Sequence, residues 1–128
     1  YQQRYADEPR ESDKVLIDMI EEFLERRPES NQPCSLLDIG CSTGNLLLHL
    51  RRAFPNLKLT GADAAEGVIE SCQQCADLQG IQFEVMDMLN MQEIKDQAFD
   101  FVIDKGSLAA LTNGGTSFLT KDPPVTKP

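Results

Sequence analysis

Residues 36–45 read LLDIGCSTGN, and the apolar run LLLHL follows directly at positions 46–50. This pattern predicts a short buried strand, a turn that contains two glycines, and the first turns of a helix. A strand–turn–helix unit of this kind brings backbone N–H groups and a helix N-terminus to one point, where α/β proteins hold nucleotide-like ligands. We therefore expect a ligand site at this turn.

The spacing of small residues in the turn narrows the choice of ligand. A dinucleotide fingerprint, Gly-x-Gly-x-x-Gly, laid on Gly40 would need glycine at both Ser42 and Asn45. A phosphate loop would need Gly-Lys-Ser/Thr after the turn, and the sequence has neither pattern. It reads Asp-x-Gly-x-Ser-x-Gly from Asp38 to Gly44. A carboxylate at the strand end suits a ligand with positive charge better than a pyrophosphate.

Strand and helix patterns alternate on both sides of the turn. Helical spacing extends over residues 12–27, with Ser12 as the expected N-cap, and over residues 64–79, with Gly80 as the expected stop. Short strands are predicted at residues 34–39, 57–63, 81–85 and 98–104.

The second predicted strand ends in an acid, Asp63. This residue lies 23 positions after Gly40, close to the spacing at which an acid at the end of the second strand receives ribose hydroxyls. A carboxylate can accept two hydrogen bonds from a cis-diol, so the chemistry fits an adenosine group without requiring phosphate. A cap on the following helix is the alternative for this side chain.

With these residues in place, the sequence resembles the class I S-adenosylmethionine-dependent methyltransferases. The first motif of that family runs acid-x-Gly-x-Gly-x-Gly, and it matches residues 38–44 with Ser42 in place of the middle glycine. The resemblance implies that Asp38 acts on the ammonium group of the cofactor, directly or through water. It also implies that the turn passes close to the cofactor's methionine part, at Gly40, Cys41, Ser42 and Gly44. The alternative is a purely structural turn, which also favours Asp and Gly here.

The resemblance implies further contacts at the ends of the next strands. Asp63, with Ala64 beside it, would bind the ribose. Asp87 would accept from the adenine amino group, and the backbone of Met88 would read the ring edge, although a place in the core is the alternative for Met88. Asp104 and Lys105 would face the cofactor's methyl group as candidates for substrate contact, and Asp104 is the one candidate for a general base.

Patterns and resemblance together predict a Rossmann-like, doubly wound α/β fold whose four strands run parallel in the spatial order 3-2-1-4. We expect one S-adenosylmethionine-binding domain over residues 1–128, with an N-terminal segment at 1–11, a core at 12–111 and an irregular or incomplete tail at 112–128. Residues 113–119 resemble the Gly-Gly turn and start of the family's fifth strand. Too few residues precede them for the usual helix, so we expect the C-terminal strands of the family to be missing or truncated.

The expected function is methyl transfer from S-adenosyl-L-methionine to an O, N or C nucleophile, with S-adenosyl-L-homocysteine as product. The segment DKGSL at 104–108 looks like one found in some protein-lysine methyltransferases, and small-molecule enzymes carry similar segments, so both acceptor classes stay open. The alternative is a non-catalytic cofactor-binding or interaction module. The missing glycines disfavour a nicotinamide-dependent oxidoreductase.

Composition limits the partners and the compartment. The chain has 21 acidic residues against 12 Lys and Arg, a net charge of −9, which argues against non-specific nucleic-acid binding. No apolar run approaches a membrane span and no signal peptide is visible, so we expect a cytoplasmic protein without a membrane partner. Cys72 and Cys75 form a Cys-x-x-Cys pair that is typical of zinc or redox sites. It lies in a helical pattern, however, and we favour free thiols and no metal.

The N-terminal segment and His49 have open roles. The resemblance implies that an N-terminal aromatic or basic residue lies over the cofactor, with Tyr1, Arg4 and Tyr5 as the candidates, and a solvated tail is the alternative. For His49, within the apolar run after the turn, we expect a partly buried helix position rather than a catalytic base.

Overall fold

The computed structural model describes residues 5–27, 33–87 and 99–104, together with the backbone of residues 117–120. Within this part of the chain, the helices are α1 (Glu11–Arg26), α2 (Asn45–Ala53) and α3 (Glu66–Gln74), and a 3-10 turn follows at Ala76–Leu78. The strands are β1 (Ser35–Ile39), β2 (Lys58–Asp63), β3 (Gln82–Val85), β4 (Phe101–Asp104) and β5 (Ser117–Thr120).

The strands form one sheet in the order β3-β2-β1-β4-β5. The pairs β1–β2, β2–β3 and β1–β4 are parallel, which confirms the predicted order 3-2-1-4. The fifth strand pairs antiparallel with β4. It lies inside the segment 112–128, for which the sequence predicted an irregular or incomplete tail, so that segment contains regular structure.

The two faces of the sheet are covered differently. Residues in register on adjacent parallel strands point to the same face, and successive residues alternate between faces. One face carries Leu36, which is in register with Leu59 and Phe101, and it holds the large core cluster to which the buried hydrophobic residues of α1, α2 and α3 belong. The opposite face carries a smaller buried cluster, which consists of Leu37, Ile39, Ala62 and Met86.

Helix α1 packs on the first face through its apolar stripe. Ile20 is fully buried, and the rings of Phe23 and Phe101 meet edge to face with centroids 4.5 Å apart. The predicted N-cap Ser12 is wrong. The helix begins one residue earlier at Glu11, and the N–H of Lys14 donates to the carbonyl of Arg10 at 2.9 Å.

The third helix is shorter than its sequence pattern predicted. Cys75 adopts an extended backbone (φ −77°, ψ 121°), so the α-helix ends at Gln74 and the chain continues as a 3-10 turn. The change of direction brings Leu78 into the core, where it is 1% exposed. Gly80, the predicted stop, has φ 94° and follows this turn.

Gly61 sets the distance between α2 and the sheet. A Cβ atom placed on Gly61 would lie 2.7 Å from Leu47 Cδ1 and 2.7 Å from Phe83 Cε1. Gly61 is in register with Asp38 on β1. The glycine therefore allows Leu47 to cover the sheet next to this carboxylate, one residue before β1 ends.

Candidate functional site around the glycine turn

The turn that joins β1 to α2 has an unusual backbone. Gly40, Ser42 and Gly44 have φ of 73°, 52° and 82°, and Ser42 is the only non-glycine with positive φ among the described residues. Left-handed conformations cost an L-residue roughly 1–2 kcal/mol, whereas glycine adopts them freely. The alternating small residues are thus a requirement of the backbone, and Ser42 occupies a position that favours glycine.

Backbone hydrogen bonds fasten this turn to the neighbouring strand. The N–H groups of Gly40 and Cys41 both donate to the carbonyl of Ala62, at 2.7 and 3.0 Å, and Gly44 N–H donates back to the carbonyl of Cys41 at 3.0 Å. The carbonyl of Gly44 accepts from Leu48 N–H at 2.9 Å, which starts α2. The helix N-terminus and the end of β2 consequently meet at this point.

Asp63 connects the glycine turn to the segment after β2. Its Oδ2 accepts from the N–H of Ser42 at 3.3 Å, and its Oδ1 accepts from the N–H of Ala65 at 3.0 Å. Ala65 is the residue before α3, so the capping role that the sequence left open is present alongside the contact with the turn. Ala64, between these residues, is exposed.

Asp38 shares a sheet face with Asp63, and it is only 2% exposed. The thiol of Cys41 responds to both carboxylates. Its pKa is raised first by burial, and then by the negative charges of Asp38, Cys72 and Asp63. The register of β1 with β2 and the hydrogen bond from Ser42 N–H to Asp63 therefore place two carboxyl groups beside the glycine turn, where negative charge would attract a cation.

The other predicted residues that the structure describes, Asp87 and Asp104, lie at the same end of the sheet, whereas Tyr1, Arg4 and Lys105 lie outside the described residues. Asp87 is exposed and follows β3, and the N–H of Met86 donates to the carbonyl of Asp63 at 3.1 Å, which holds this segment beside the end of β2. Met88 lies outside the described residues. Asp104 ends β4 in register with Ile39 and is 5% exposed, so its side chain belongs to the face opposite Asp38. Strand register thus brings Asp38 and Asp63 together and separates Asp104 from them.

Two hydrogen bonds from outside the predicted motif also hold the turn. Cys72 Sγ in α3 donates to the carbonyl of Ser42 at 3.2 Å, and the Tyr5 hydroxyl donates to the carbonyl of Thr43 at 2.7 Å. Tyr5 is 5% exposed, so the alternative of a solvated tail is wrong at this position. No local sequence signal marks Cys72 or Tyr5 as partners of the turn, because each contact spans 30 or more residues.

The two acids of the pattern FDFVID at 99–104 have different positions in the sheet. Asp100 precedes β4, and its Oδ2 accepts from the backbone N–H of Ser35 at 2.9 Å. It therefore joins β1 to β4 at their amino ends, whereas Asp104 lies at the carboxyl end of β4.

Other titratable groups lie away from the turn or are buried. All four cysteines are free, and the described residues contain no group of three or more His, Cys, Asp and Glu side chains that could hold a metal. His49 is 3% exposed, so it is more deeply buried than the partly buried helix position that the sequence predicted. In the described part of the chain, none of the helices is both long and apolar enough to cross a membrane.

A family model described as a methyltransferase domain matches residues 30–119, which include the glycine turn and the four parallel strands. The chain belongs to this methyltransferase domain family. The family that the turn motif suggested is confirmed.

Several relatives are similar over most of the methyltransferase domain. Malonyl-[acyl-carrier protein] O-methyltransferase of Acetivibrio thermocellus is 26% identical over 113 residues, which cover 88% of this chain and 37% of that protein. Release factor glutamine methyltransferase of Geobacter sulfurreducens is 26% identical over 95 residues, which cover 74% of this chain and 31% of that protein. The domain thus spans about a third of the length of these two relatives.

A solved structure shows the same fold. It is the plantazolicin methyltransferase BpumL in complex with a monoazolic desmethylPZN analog and SAH, with a TM-score of 0.55 and 15% identity. The similarity covers 80% of this chain and 50% of that one.

Proposed function

We propose that the domain binds S-adenosyl-L-methionine at the glycine turn and transfers its methyl group by in-line displacement to an O, N or C nucleophile. The observation that carries this proposal is the pair Asp38 and Asp63, on one sheet face, beside a turn with three left-handed residues. Carboxylates around a close backbone approach suit a cationic adenosyl ligand and disfavour a pyrophosphate. The SAH in the BpumL structure supports this choice.

The carboxylate of Asp63 is positioned for a diol. Each of its oxygens already accepts one N–H, from Ser42 and from Ala65, and each retains a further lone pair. Two fixed N–H donors hold the carboxylate in one orientation, so a ribose with two hydroxyls would meet a pre-organised acceptor. We assign this role to Asp63, with Ala64 beside it.

The other cofactor contacts follow from the strand ends. Asp38 would attract the ammonium group, the exposed Asp87 would accept from the adenine amino group, and Met88 would contact the ring edge. The turn residues Gly40, Cys41, Ser42 and Gly44 would line the methionine part. Bound S-adenosylmethionine supplies a methyl group already activated on a sulfonium. The protein therefore has to orient the acceptor in line with that methyl group and exclude water.

We propose that Asp104 contacts the methyl acceptor and acts on it as a general base. Its place on the opposite face from Asp38 puts it away from the ammonium contact. The two relatives are named for methylation of a malonyl group on acyl-carrier protein and of a release-factor glutamine. We propose a small molecule or a protein side chain, including lysine, as acceptor. We further propose a cytoplasmic location, because four free thiols suit a reducing compartment.

Calorimetry with S-adenosylhomocysteine tests the cofactor site. Asp63→Ala should weaken binding at least about tenfold, because two hydrogen bonds to a charged acceptor are worth roughly 1.5–3 kcal/mol each. Asp18→Ala is the matched control, since it removes one negative charge from the exposed face of α1. Equal affinity of wild type and Asp63→Ala, or no binding to folded wild type, would refute the site.

The second candidate is a cofactor-binding or interaction module without turnover. It predicts the same calorimetry with no transfer of labelled methyl to any acceptor. The similarity covers only about a third of the length of each relative, which is the reason for this second candidate. A labelled-methyl assay against malonyl-acyl-carrier protein and lysine peptides separates the two functions.

A further inference from the structure

The hydroxyl group of Tyr5 joins the N-terminal segment of residues 5–10 to the glycine turn. Tyr5 precedes α1 by six residues, yet its ring is almost fully buried, and its hydroxyl donates to the carbonyl of Thr43 at 2.7 Å. Cys75 Sγ lies 3.7 Å from the same oxygen. A tyrosine has one hydroxyl hydrogen. Because Thr43 receives it, the thiol of Cys75 is the donor to Tyr5.

This hydrogen-bond chain ends on the peptide group that closes the turn. A trans peptide points its C=O and N–H in opposite directions. In the peptide between Thr43 and Gly44, Tyr5 holds the carbonyl and Cys41 accepts from the N–H at 3.0 Å. Both ends of this peptide are therefore bound, next to Ser42 with its unfavourable positive φ. The bonds maintain a conformation that Ser42 alone would not prefer.

A second contact fixes the same segment at the far end of α2. Arg52, in the last turn of that helix, donates to the carbonyl of Ala6 at 3.3 Å. The Tyr5 contact therefore lies at the glycine turn, whereas the Arg52 contact lies at the far end of α2. This separation makes Arg52 a control for Tyr5.

We infer that the Tyr5 hydroxyl is a positioning group that holds the Thr43–Gly44 peptide in its binding conformation and couples the N-terminal segment to the cofactor site. The inference rests on the proposed function, because it assigns the turn to cofactor binding. Tyr5 acts through the turn backbone and is not a catalytic residue.

Amide hydrogen exchange, measured by NMR without ligand, tests the positioning. In Tyr5→Phe the ring remains and the hydroxyl is lost, so the Gly44 N–H should exchange about five to ten times faster. The N–H of Asp100, which donates to Ser35 between β1 and β4, should keep its rate and thereby exclude a loss of global stability. In Arg52→Gln, Gly44 should exchange as in the wild type. An unchanged Gly44 rate in Tyr5→Phe overturns the inference whether or not the protein binds a cofactor.

Calorimetry with S-adenosylhomocysteine tests the coupling. Tyr5→Phe should weaken binding about fivefold, and Arg52→Gln should bind as the wild type does. Faster Gly44 exchange with unchanged affinity would overturn the coupling. A wild type that binds no S-adenosylhomocysteine would refute the proposed function, and exchange alone would then decide the role of Tyr5. If Tyr5→Phe does not fold, Cys75→Ala removes the upstream donor and should accelerate Gly44 exchange to a smaller extent. No acceleration there would also overturn the inference.

Discussion

The sharpest test of the turn uses its second glycine. Gly44 has φ 82°, and a Cβ atom at this position would lie 2.7 Å from Cδ1 of Leu78, which is 1% exposed. Gly44→Ala therefore introduces two separate penalties, a strained backbone and a clash with a core side chain. Because Leu78 belongs to the 3-10 turn after α3, the second penalty also measures how closely that turn packs against the glycine turn.

The magnitudes can be separated. A left-handed alanine costs about 1–2 kcal/mol, and the stiffer unfolded chain returns about 0.4–1 kcal/mol. Forcing a methyl group into a packed core adds about 1–3 kcal/mol. Gly44→Ala should thus lower the free energy of unfolding by about 2–4 kcal/mol, of which the larger share comes from Leu78.

Gly80 provides the matched control. Its φ is 94°, and an added Cβ atom would have no neighbour within 4 Å, so Gly80→Ala pays the backbone penalty alone, roughly 1 kcal/mol or less. Gly67→Ala, in α3 with open space around it, should be neutral or stabilising by up to about 1 kcal/mol.

Urea unfolding followed by circular dichroism gives the three free energies, and a double mutant tests the contact. Leu78→Ala should cost less in the Gly44→Ala background than in the wild type, because it removes the clashing atoms. If Gly44→Ala is no less stable than Gly80→Ala, or if the two changes at Gly44 and Leu78 are additive, the packing argument is refuted.

Two further predictions concern single side chains. Burial, followed by the charge of Arg52, lowers the pKa of His49 against the opposing effects of Asp13 and Glu8. The folded state then binds fewer protons than the unfolded state, so stability should fall as the pH drops below about 6.5, by at most about 1.4 kcal/mol per pH unit. Urea midpoints at pH 7.5 and 5.5 should differ less in His49→Leu than in the wild type, and an equal difference would contradict the assignment. Ser42→Gly should relieve the positive φ and raise the free energy of unfolding by up to about 1 kcal/mol; a clear loss of stability would show that the serine hydroxyl outweighs the strain.

Local patterns predicted the sheet well because the strand-forming residues are contiguous. The four parallel strands and the turn after β1 follow from short buried runs, each closed by small residues or an acid, whereas the order of the strands needed the family resemblance as well. The end of α3 at Gln74 was missed, since residues 64–79 retain helical spacing while the backbone of Cys75 turns to bring Leu78 into the core. Tertiary packing here overrides the local preference.

Contacts between distant elements were beyond the sequence pattern. In the sequence, Gly61 looks like an ordinary strand residue. In the structure, Leu47 and Phe83 fill the space that a side chain at this position would need. The resemblance implied separate contacts for Asp38 and for Asp104 at their strand ends, and the strand register assigns the two side chains to opposite faces. A sequence pattern gives the separation of two residues along the chain. The sheet face to which a side chain belongs depends on the register in which its strand pairs with the neighbouring strand.

Strand β3 forms one edge of the sheet, and its contacts oppose edge-to-edge pairing between copies of the domain. Gln73 in α3 donates its side-chain amide to the carbonyl of Phe83 at 3.2 Å, and Gln82 and Glu84 on the same strand are exposed. An incoming strand would have to displace that amide and lie against a negative charge. Gln73 lies two residues before Cys75, where α3 ends, and its hydrogen bond thereby opposes edge-to-edge pairing with another sheet.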